Sequence, residues 1–183
     1  MTRLALLIAL LASLLLTGCS ESEPETLAAA VPIEDGDSCH VCGMLINEHP
    51  GPKGEAFLGS QGEALKFCST LDLFTFLKQP ENETRLSHAY VHDVAAAPWA
   101  TPDDEAFVRA SEAVYVVGHD RRGSMGHTLA SFAEQADAET FREAHGGELV
   151  SFDEIDLDLL GRLGRGELGG DSGAGLSGMQ GHE

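Results

Sequence analysis

Two short segments of the sequence carry side chains that bind soft metal ions. The first, CHVCGM, places Cys39, Cys42 and Met44 within six residues, and the second, MGH, places Met125 and His127 on either side of a glycine. Thiolate, thioether and imidazole groups are ligands suited to copper(I), a soft ion that needs few of them. Their types and spacing therefore favour a copper(I) site.

In each segment one glycine separates two candidate ligands. Side chains two positions apart on an extended backbone point to the same side, so both can reach one ion. Methionine usually fills a core, so packing is the alternative interpretation for these residues. Outside the predicted signal and tail, however, Met44 and Met125 are the only methionines, and both stand in this pattern. The candidate ligands are Cys42, Met44, Met125 and His127, with Cys39 as a further candidate.

The CHVCG motif also has two alternative interpretations. A structural zinc site would need two further Cys or His residues at suitable spacing, and none follows. A thioredoxin-like redox centre would place Cys42 in the first turn of a helix, which Gly43 directly after it disfavours. Thiol–disulfide exchange through Cys39 and Cys42 is nevertheless the alternative function, and it would make the protein an enzyme. Because an oxidised pair has no thiolate to offer, we expect copper loading to require the reduced form.

The first 36 residues predict export and a membrane anchor. Residues 1–18 combine Arg3 with an apolar run too short to span a bilayer, as in a secretory signal peptide. The sequence LTGC resembles the lipobox of bacterial lipoproteins, in which cleavage precedes the cysteine and Cys19 is lipidated. Residues 19–36 are acidic and contain proline, and they predict a flexible tether.

Charge and cysteine count exclude several functional classes. The chain has 30 acidic against 11 basic residues, a net charge of −19, so it lacks the basic surface that nucleic-acid binding needs. If Cys19 carries the lipid, Cys39, Cys42 and Cys68 remain, and an odd number of thiols argues against a disulfide scaffold. Cys68 precedes a predicted helix, where we expect a small buried side chain.

Short strand-like segments that alternate with helical segments predict an α+β domain over residues 37–160. A Gly-rich, disordered tail is predicted at residues 161–183. Two similar ββαβ modules, within halves at about 37–94 and 105–155, explain the alternation of short strands and helices. In the first half, EAFLG, EALKFC and SHAYVHDV predict strands and STLDLFTFLKQP a helix. In the second half, EAVYVVG, HTLASF and ELVSF predict strands and EQADAETFREAHGG a helix.

The two modules are expected to bury one shared core. Its predicted members are Phe57, Leu65, Phe67, Phe74, Val114, Val116, Leu129, Phe132, Phe141 and Phe152. If a pseudo-twofold axis relates the modules, the loops that carry Met44 and Met125 would occupy equivalent positions and could face each other.

Four longer segments resemble one known family. CGMLINEHPGPKGEAFL, LKFCSTLDLFTFL, AYVHDVAAAPW and the stretch from AVYVVGHDRRGSMGHTLASF to ADAETFREAHGGELVSFDEI are similar to the nitrous oxide reductase accessory lipoproteins, the NosL family. The similarity covers about residues 39–156, and its Cys-Gly-Met and Arg-Arg-Gly-x-Met-Gly segments are specific. It implies two ββαβ modules with a fold similar to organomercurial lyase. By that fold analogy alone, a carbon–metal bond lyase is a second enzyme alternative.

The resemblance also implies a function and a site. It implies a periplasm-facing lipoprotein, anchored to a bacterial membrane, that binds one copper(I) without turnover chemistry. The ion would go to the membrane complex that assembles the multi-copper–sulfide centre of nitrous oxide reductase in denitrification, or to the reductase itself. By motif, Cys42 and Met44 match the family's Cys-Gly-Met, and Met125 matches its Met-Gly. His127 fits a Met-x-His version of that loop, which varies among members, and Cys39 is not a fixed family feature.

Overall fold

The structure, a computed structural model, describes residues 27–59 and 62–169. The predicted signal peptide, Cys19 and the last part of the Gly-rich tail, residues 170–183, lie outside the described residues. Within the described ranges, no helix has the length and apolar character needed to cross a membrane.

The first module is a three-stranded antiparallel sheet with a helix between its second and third strands. Its elements are β1 (Gly54–Leu58), β2 (Ala64–Phe67), α1 (Thr70–Leu77), the short α2 (Pro80–Glu83) and β3 (Leu86–His92). Strand β1 lies in the middle and pairs with β2 on one side and β3 on the other. A further short strand, β4 (Phe107–Arg109), extends this sheet beyond β3.

The second module repeats the arrangement of the first. Its elements are β5 (Val114–Val117), β6 (Ala130–Phe132), α3 (Gln135–His145) and β7 (Glu148–Ser151). Strand β5 lies between β6 and β7, and both pairings are antiparallel. The spatial order second–first–third is therefore the same in both sheets, which confirms the predicted pair of ββαβ modules. A last helix, α4 (Leu157–Gly164), follows, and single 3-10 turns occupy Ile46–Glu48, Asp104–Ala106 and Phe152–Glu154.

Capping residues set the start and end of α1 as the sequence predicts. The Ser69 side chain accepts a hydrogen bond from the backbone N–H of Asp72 at 3.1 Å, and the Asp72 carboxylate lies in the first turn, where negative charge favours a helix. The helix ends at Leu77, and Pro80 then begins α2. Cys68 and Asp72 are thereby held at the start of the helix, with the backbone between them fixed by the cap.

The buried residues form two clusters rather than one. The larger cluster joins both modules, since the Phe74 ring of α1 meets the Tyr115 ring of β5 edge-on at 5.1 Å between ring centroids. The smaller cluster lies within the second module, around Val116 and Phe132. Of the ten predicted core residues six are buried, namely Phe57, Phe67, Phe74, Val116, Leu129 and Phe132. The other four are half-buried and pack against the two clusters, namely Leu65, Val114, Phe141 and Phe152.

The packed domain extends beyond both predicted boundaries. On the N-terminal side Ile33 is buried, and the backbone N–H of Val31 donates to the Glu55 carboxylate at 3.0 Å. On the C-terminal side Leu163, the last apolar residue of α4, is fully buried. Residues 27–36 of the predicted tether and residues 161–164 of the predicted tail are therefore part of the folded domain.

Candidate metal centre

Three thiols and one carboxylate converge at the N-terminal end of α1. The ligand atoms of Cys39, Cys42, Cys68 and Asp72 all lie within 4.8 Å of one another. The Cys42 Sγ is 3.5 Å from the Cys68 Sγ, and the Asp72 Oδ2 is 3.5 Å from the Cys39 Sγ and 3.3 Å from the Cys68 Sγ. These four residues are called the thiol cluster below. Two sulfur atoms that share one ion at about 2.3 Å lie roughly 3.8–4.6 Å apart, so this spacing suits a single thiolate-bound metal.

A tight turn presents Cys39 and Cys42 to the cluster. The Cys39 N–H donates to the Met44 carbonyl at 2.8 Å, and the Gly43 N–H donates to the Cys39 carbonyl at 2.9 Å. Gly43 has a φ of +74°, a conformation that a residue with a side chain rarely adopts. The turn is tied to β2, because the His40 N–H donates to the Lys66 carbonyl at 2.8 Å. Cys39 thus lies beneath the turn, while Cys42 is exposed on its outer side.

Cys68 and Asp72 come from a part of the sequence that the motif analysis did not assign to the site. Cys68 follows β2 directly, and Asp72 lies four residues further on in the first turn of α1. The expectation of a small, buried Cys68 is correct, and Cys68 belongs to the larger apolar cluster. In addition, its thiol lies beside the thiols of Cys39 and Cys42. The i, i+4 spacing of a thiol and a carboxylate across a helix N-cap was the available sequence signal.

The cluster holds its thiols in unequal protonation states. Hydrogen bonding from Cys68, reinforced by backbone N–H groups, lowers the pKa of Cys39, although burial opposes this. The same hydrogen bond, followed by burial, raises the pKa of Cys68. Burial also raises the pKa of Cys42 and that of Asp72. Cys39 is therefore the thiol of the cluster that ionises most readily, whereas Cys42 and Cys68 hold their protons more tightly.

Copper(I) affinity should consequently rise with pH. A metal that binds all three sulfurs must displace the protons of Cys42 and Cys68, whose pKa values are raised, but finds Cys39 already ionised. Between pH 6 and 8, log K for copper(I) is expected to rise by roughly 2 per pH unit. Competition titrations at several pH values measure this slope. A slope near zero would show that thiol deprotonation is not part of binding.

The hairpin that carries Met125 is docked beside the thiol cluster. Two hydrogen bonds between Gly123 and Gly126 close it, so Ser124 and Met125 are its two tip residues. The Ser124 hydroxyl donates to the Cys68 carbonyl at 2.6 Å. Met125 therefore follows directly after a residue that touches the backbone of a cluster cysteine.

Two further contacts fix this hairpin to the first module. A Cβ placed on Gly51 would lie 3.0 Å from the Cα of Gly123, so the two backbones pass too closely for a side chain. At the base of the hairpin the Thr70 and Thr128 hydroxyls are 2.8 Å apart, and Thr70 also donates to the Leu129 carbonyl at 2.6 Å. The N-terminal end of α1 thus anchors the cluster cysteines and the hairpin at one place.

The two methionines differ in exposure. Met44 is half-buried in the Cys39–Met44 turn, whereas 54 % of Met125 is exposed at the tip of its hairpin. Since a core methionine would be buried, packing does not explain Met125. Met44 lies two residues after Cys42 in the chain. Met125 directly follows Ser124, whose hydroxyl contacts the Cys68 carbonyl.

His127 lies in a different environment from the thiol cluster. Its Nδ1 is 3.2 Å from the guanidinium of Arg122, and its Nε2 faces Gly166 after α4. It lines a cavity of about 460 Å³ together with His119 and His145. Among the described residues, the four side chains that form the metal-binding group do not include His127. The structure therefore brings Cys39 and Cys42 together and docks the Met125 hairpin beside them, but places His127 elsewhere.

The two ligand loops do not occupy equivalent positions in the repeat. The Cys39–Met44 turn precedes β1, the first strand of its module, whereas the Met125 hairpin lies between β5 and β6. The expectation that a pseudo-twofold axis makes these loops equivalent is therefore wrong. They approach each other because both pack at the N-terminal end of α1.

Comparison with known proteins agrees with this architecture. Residues 30–160 match the model of the NosL family. The chain is 44 % identical over 155 residues to the copper-binding lipoprotein NosL of Stutzerimonas stutzeri, covering 84 % of this chain and 80 % of that protein. It is 33 % identical over 159 residues to the copper-binding lipoprotein NosL of Achromobacter cycloclastes, covering 84 % and 81 %.

A solved structure shares the fold. The crystal structure of the copper chaperone NosL from Shewanella denitrificans superposes with a TM-score of 0.68 at 45 % identity, covering 74 % of this chain and 99 % of that one. These relatives are named as copper-binding proteins or as a copper chaperone, and none of the three names describes an enzyme. From the family match and the shared fold together, the chain belongs to the NosL family.

Proposed function

We propose that this chain is a lipid-anchored, periplasm-facing copper(I) metallochaperone that delivers copper for assembly of the copper–sulfide centre of nitrous oxide reductase. It binds and transfers the ion without turnover chemistry. Relatives named as copper-binding lipoproteins and as a copper chaperone support copper as the cargo. The lipobox before Cys19 supports the anchor, and the family resemblance supports the membrane assembly complex, or the reductase itself, as the recipient.

One observation carries the proposal. Three thiols lie within 4.8 Å of one another, and a hairpin with an exposed methionine at its tip is hydrogen-bonded to the backbone of one of them. Few soft sulfur ligands are what copper(I) prefers over the oxygen-rich sites of harder ions. A purely structural role would not require both an exposed thiol in the cluster and an exposed thioether on the hairpin that is docked to it.

The proposed copper shell begins with Cys42, Met44 and Met125. Cys39 and Cys68 supply the sulfurs on the inner side of the cluster, with Asp72 hydrogen-bonded to both. His127 could join this shell only by leaving Arg122, because the guanidinium already occupies its Nδ1 lone pair. We therefore place His127 outside the resting copper shell and expect sulfur alone around the ion.

The exposure of the ligands suits release to a partner. Cys42 and Met125 are exposed, whereas Cys39 is 3 % exposed and Cys68 fully buried. An acceptor can therefore replace the outer ligands one at a time while the inner thiols still hold the ion. Transfer by such ligand exchange avoids releasing free copper.

Thiol–disulfide exchange is the second candidate function, and one distance favours it. The Cys42 and Cys68 sulfurs are 3.5 Å apart, so Cys68, in addition to Cys39, is positioned as a partner of Cys42 in a disulfide. This alternative would be supported if the wild type retained no copper and showed disulfide reductase turnover that disappears in Cys68→Ser. The same results would contradict the metallochaperone.

Anaerobic titration with copper(I) against a chromogenic chelator tests the proposal directly. The reduced protein is expected to bind one equivalent, and the oxidised protein to bind it much more weakly, because a disulfide removes two of the three cluster thiols. Failure of the reduced protein to retain copper(I) against the chelator would overturn the proposal.

Met125→Leu is expected to weaken copper(I) binding by about ten- to a hundredfold, because it removes a thioether while preserving an apolar side chain of similar size. The same competition titration measures the loss. Leu157→Met, the reverse exchange at an exposed position on α4, is the matched control and should leave the affinity unchanged. Equal affinities for Met125→Leu and the wild type would remove Met125 from the shell.

A further inference from the structure

A buried lysine lies directly behind the thiol cluster. Lys53 is 2 % exposed, and its Nζ donates to the backbone carbonyls of His49 at 2.6 Å, Pro50 at 3.2 Å and Cys68 at 3.0 Å. Its fourth contact is the Ser124 hydroxyl, at 3.2 Å. One ammonium group therefore touches the backbone of a cluster cysteine and the tip of the Met125 hairpin.

No carboxylate neutralises this ammonium. Within residues 27–59 and 62–169, no Asp or Glu lies within ion-pair distance of Lys53. Burial lowers its pKa to about 8, and the charges of Cys68 and Cys39 are the groups that oppose this decrease. All four of its contacts are hydrogen-bond acceptors, so the geometry holds Lys53 as an ammonium, and the thiol cluster supplies the negative charge that faces it. A buried charge without a partner is costly, so its position calls for a functional explanation.

We propose that Lys53 is a specificity-determining residue whose buried ammonium makes the thiol cluster favour a monovalent over a divalent ion. This inference rests on the proposed function, because it assigns a selectivity to the same metal site. It concerns a residue that donates no ligand atom and acts only through its charge.

Lys53 affects a monovalent and a divalent ion differently when both occupy the same ligand shell. A monovalent and a divalent ion that bind the same sulfurs displace the same protons, so the two complexes differ by one positive charge. That additional charge is repelled by the ammonium of Lys53. At an effective dielectric constant of about 20 and a separation of roughly 6–10 Å, one unit charge changes a binding constant on the order of ten- to a hundredfold. The ammonium therefore selects against divalent ions by about this factor, whatever the number of thiolates in the shell.

The test measures silver(I) and cadmium(II) affinities at pH 7 in wild type and Lys53→Met. Both ions are thiophilic, have a filled d shell and do not change oxidation state, so charge is the main difference between them. The ratio of silver(I) to cadmium(II) affinity is expected to fall about ten- to a hundredfold in Lys53→Met. Lys78→Met is the matched control, because it removes the same charge at the other end of α1, where Lys78 packs over Phe152.

Circular dichroism of the metal-free variants separates charge from folding. If Lys53→Met does not fold, the silver(I) and cadmium(II) affinities are measured on Lys53→Gln instead. Its amide is uncharged but keeps two donors for the same carbonyl groups. A parallel loss of both affinities, or no change in either, would overturn the inference and reduce Lys53 to a structural contact. Failure of the wild type to bind silver(I) or copper(I) at all would instead overturn the proposed function.

Discussion

Cys42→Ser is expected to lower the copper(I) affinity of the protein by more than about a hundredfold, since even the loss of residues that only support ligands costs ten- to a hundredfold. Cys42 is the exposed thiol of the cluster, and its sulfur lies beside that of Cys68 and in the same turn as Met44. A serine hydroxyl is neither soft nor ionised at neutral pH, so it cannot replace the thiolate. Anaerobic competition with a chromogenic copper(I) chelator measures the loss.

The other two cluster cysteines provide the comparison. Cys68→Ser and Cys39→Ser each remove an inner sulfur. We expect each to weaken binding less than Cys42→Ser does, because only Cys42 shares an exposed position in the turn with the proposed ligand Met44. The metal-free variants should keep the circular dichroism of the wild type. Unchanged copper(I) affinity in Cys42→Ser would contradict the proposed site.

Phe74→Ala is expected to lower the free energy of unfolding by about 3–5 kcal/mol, the usual cost of removing a fully buried phenylalanine ring. The Phe74 ring, fully buried on α1, contacts Tyr115 edge-on and lies 5.6 Å from the Phe152 ring. It therefore connects α1 of the first module to two positions in the second. Urea denaturation of the metal-free protein, followed by circular dichroism, measures the change.

Phe74→Leu is the matched variant for this experiment. It keeps an apolar side chain and leaves a smaller cavity, so its loss of stability should be clearly smaller than that of Phe74→Ala. Equal stability of Phe74→Ala and the wild type would show that the two modules do not depend on this contact.

The repeat of the fold could be predicted because each strand and helix has its own local signal. The Ser69 cap and Pro80 bound α1, and Gly146, with a φ of +72°, ends α3. Fine detail within the elements was harder to predict. Ala144, six residues after the buried Ala138 of α3, is exposed, because steps of three residues drift by about 60° each around a helix.

The metal site could be predicted in part. Cys42, Met44 and Met125 stand out because a glycine separates soft ligands at short range, which is a local pattern. Cys68 and Asp72 enter the site through tertiary contacts with the turn before β1, and their i, i+4 spacing does not by itself report those contacts. The assumed equivalence of the two ligand loops depended on the same missing information about tertiary contacts.

The segments flanking the domain show why composition misplaces boundaries. Taken as a whole, residues 19–36 are polar and acidic enough to predict a tether. Within them, however, Ile33 is buried, and the Ala28 carbonyl accepts a hydrogen bond from the Tyr90 hydroxyl at 2.8 Å. At the other end, α4 carries two glycines, but Leu160 and Leu163 lie on one face and pack into the core. A few apolar residues at the right spacing outweigh an otherwise polar composition.

X-ray absorption at the copper K-edge, on reduced protein loaded with one equivalent of copper, tests the central claim most directly. The edge reports the oxidation state, and the scattering pattern distinguishes sulfur from imidazole nitrogen. We expect copper(I) surrounded by sulfur alone, at about 2.3 Å, with that sulfur signal reduced in Cys42→Ser. A shell dominated by imidazole nitrogen, unchanged in Cys42→Ser, would contradict a copper site built on the thiol cluster and the Met125 hairpin.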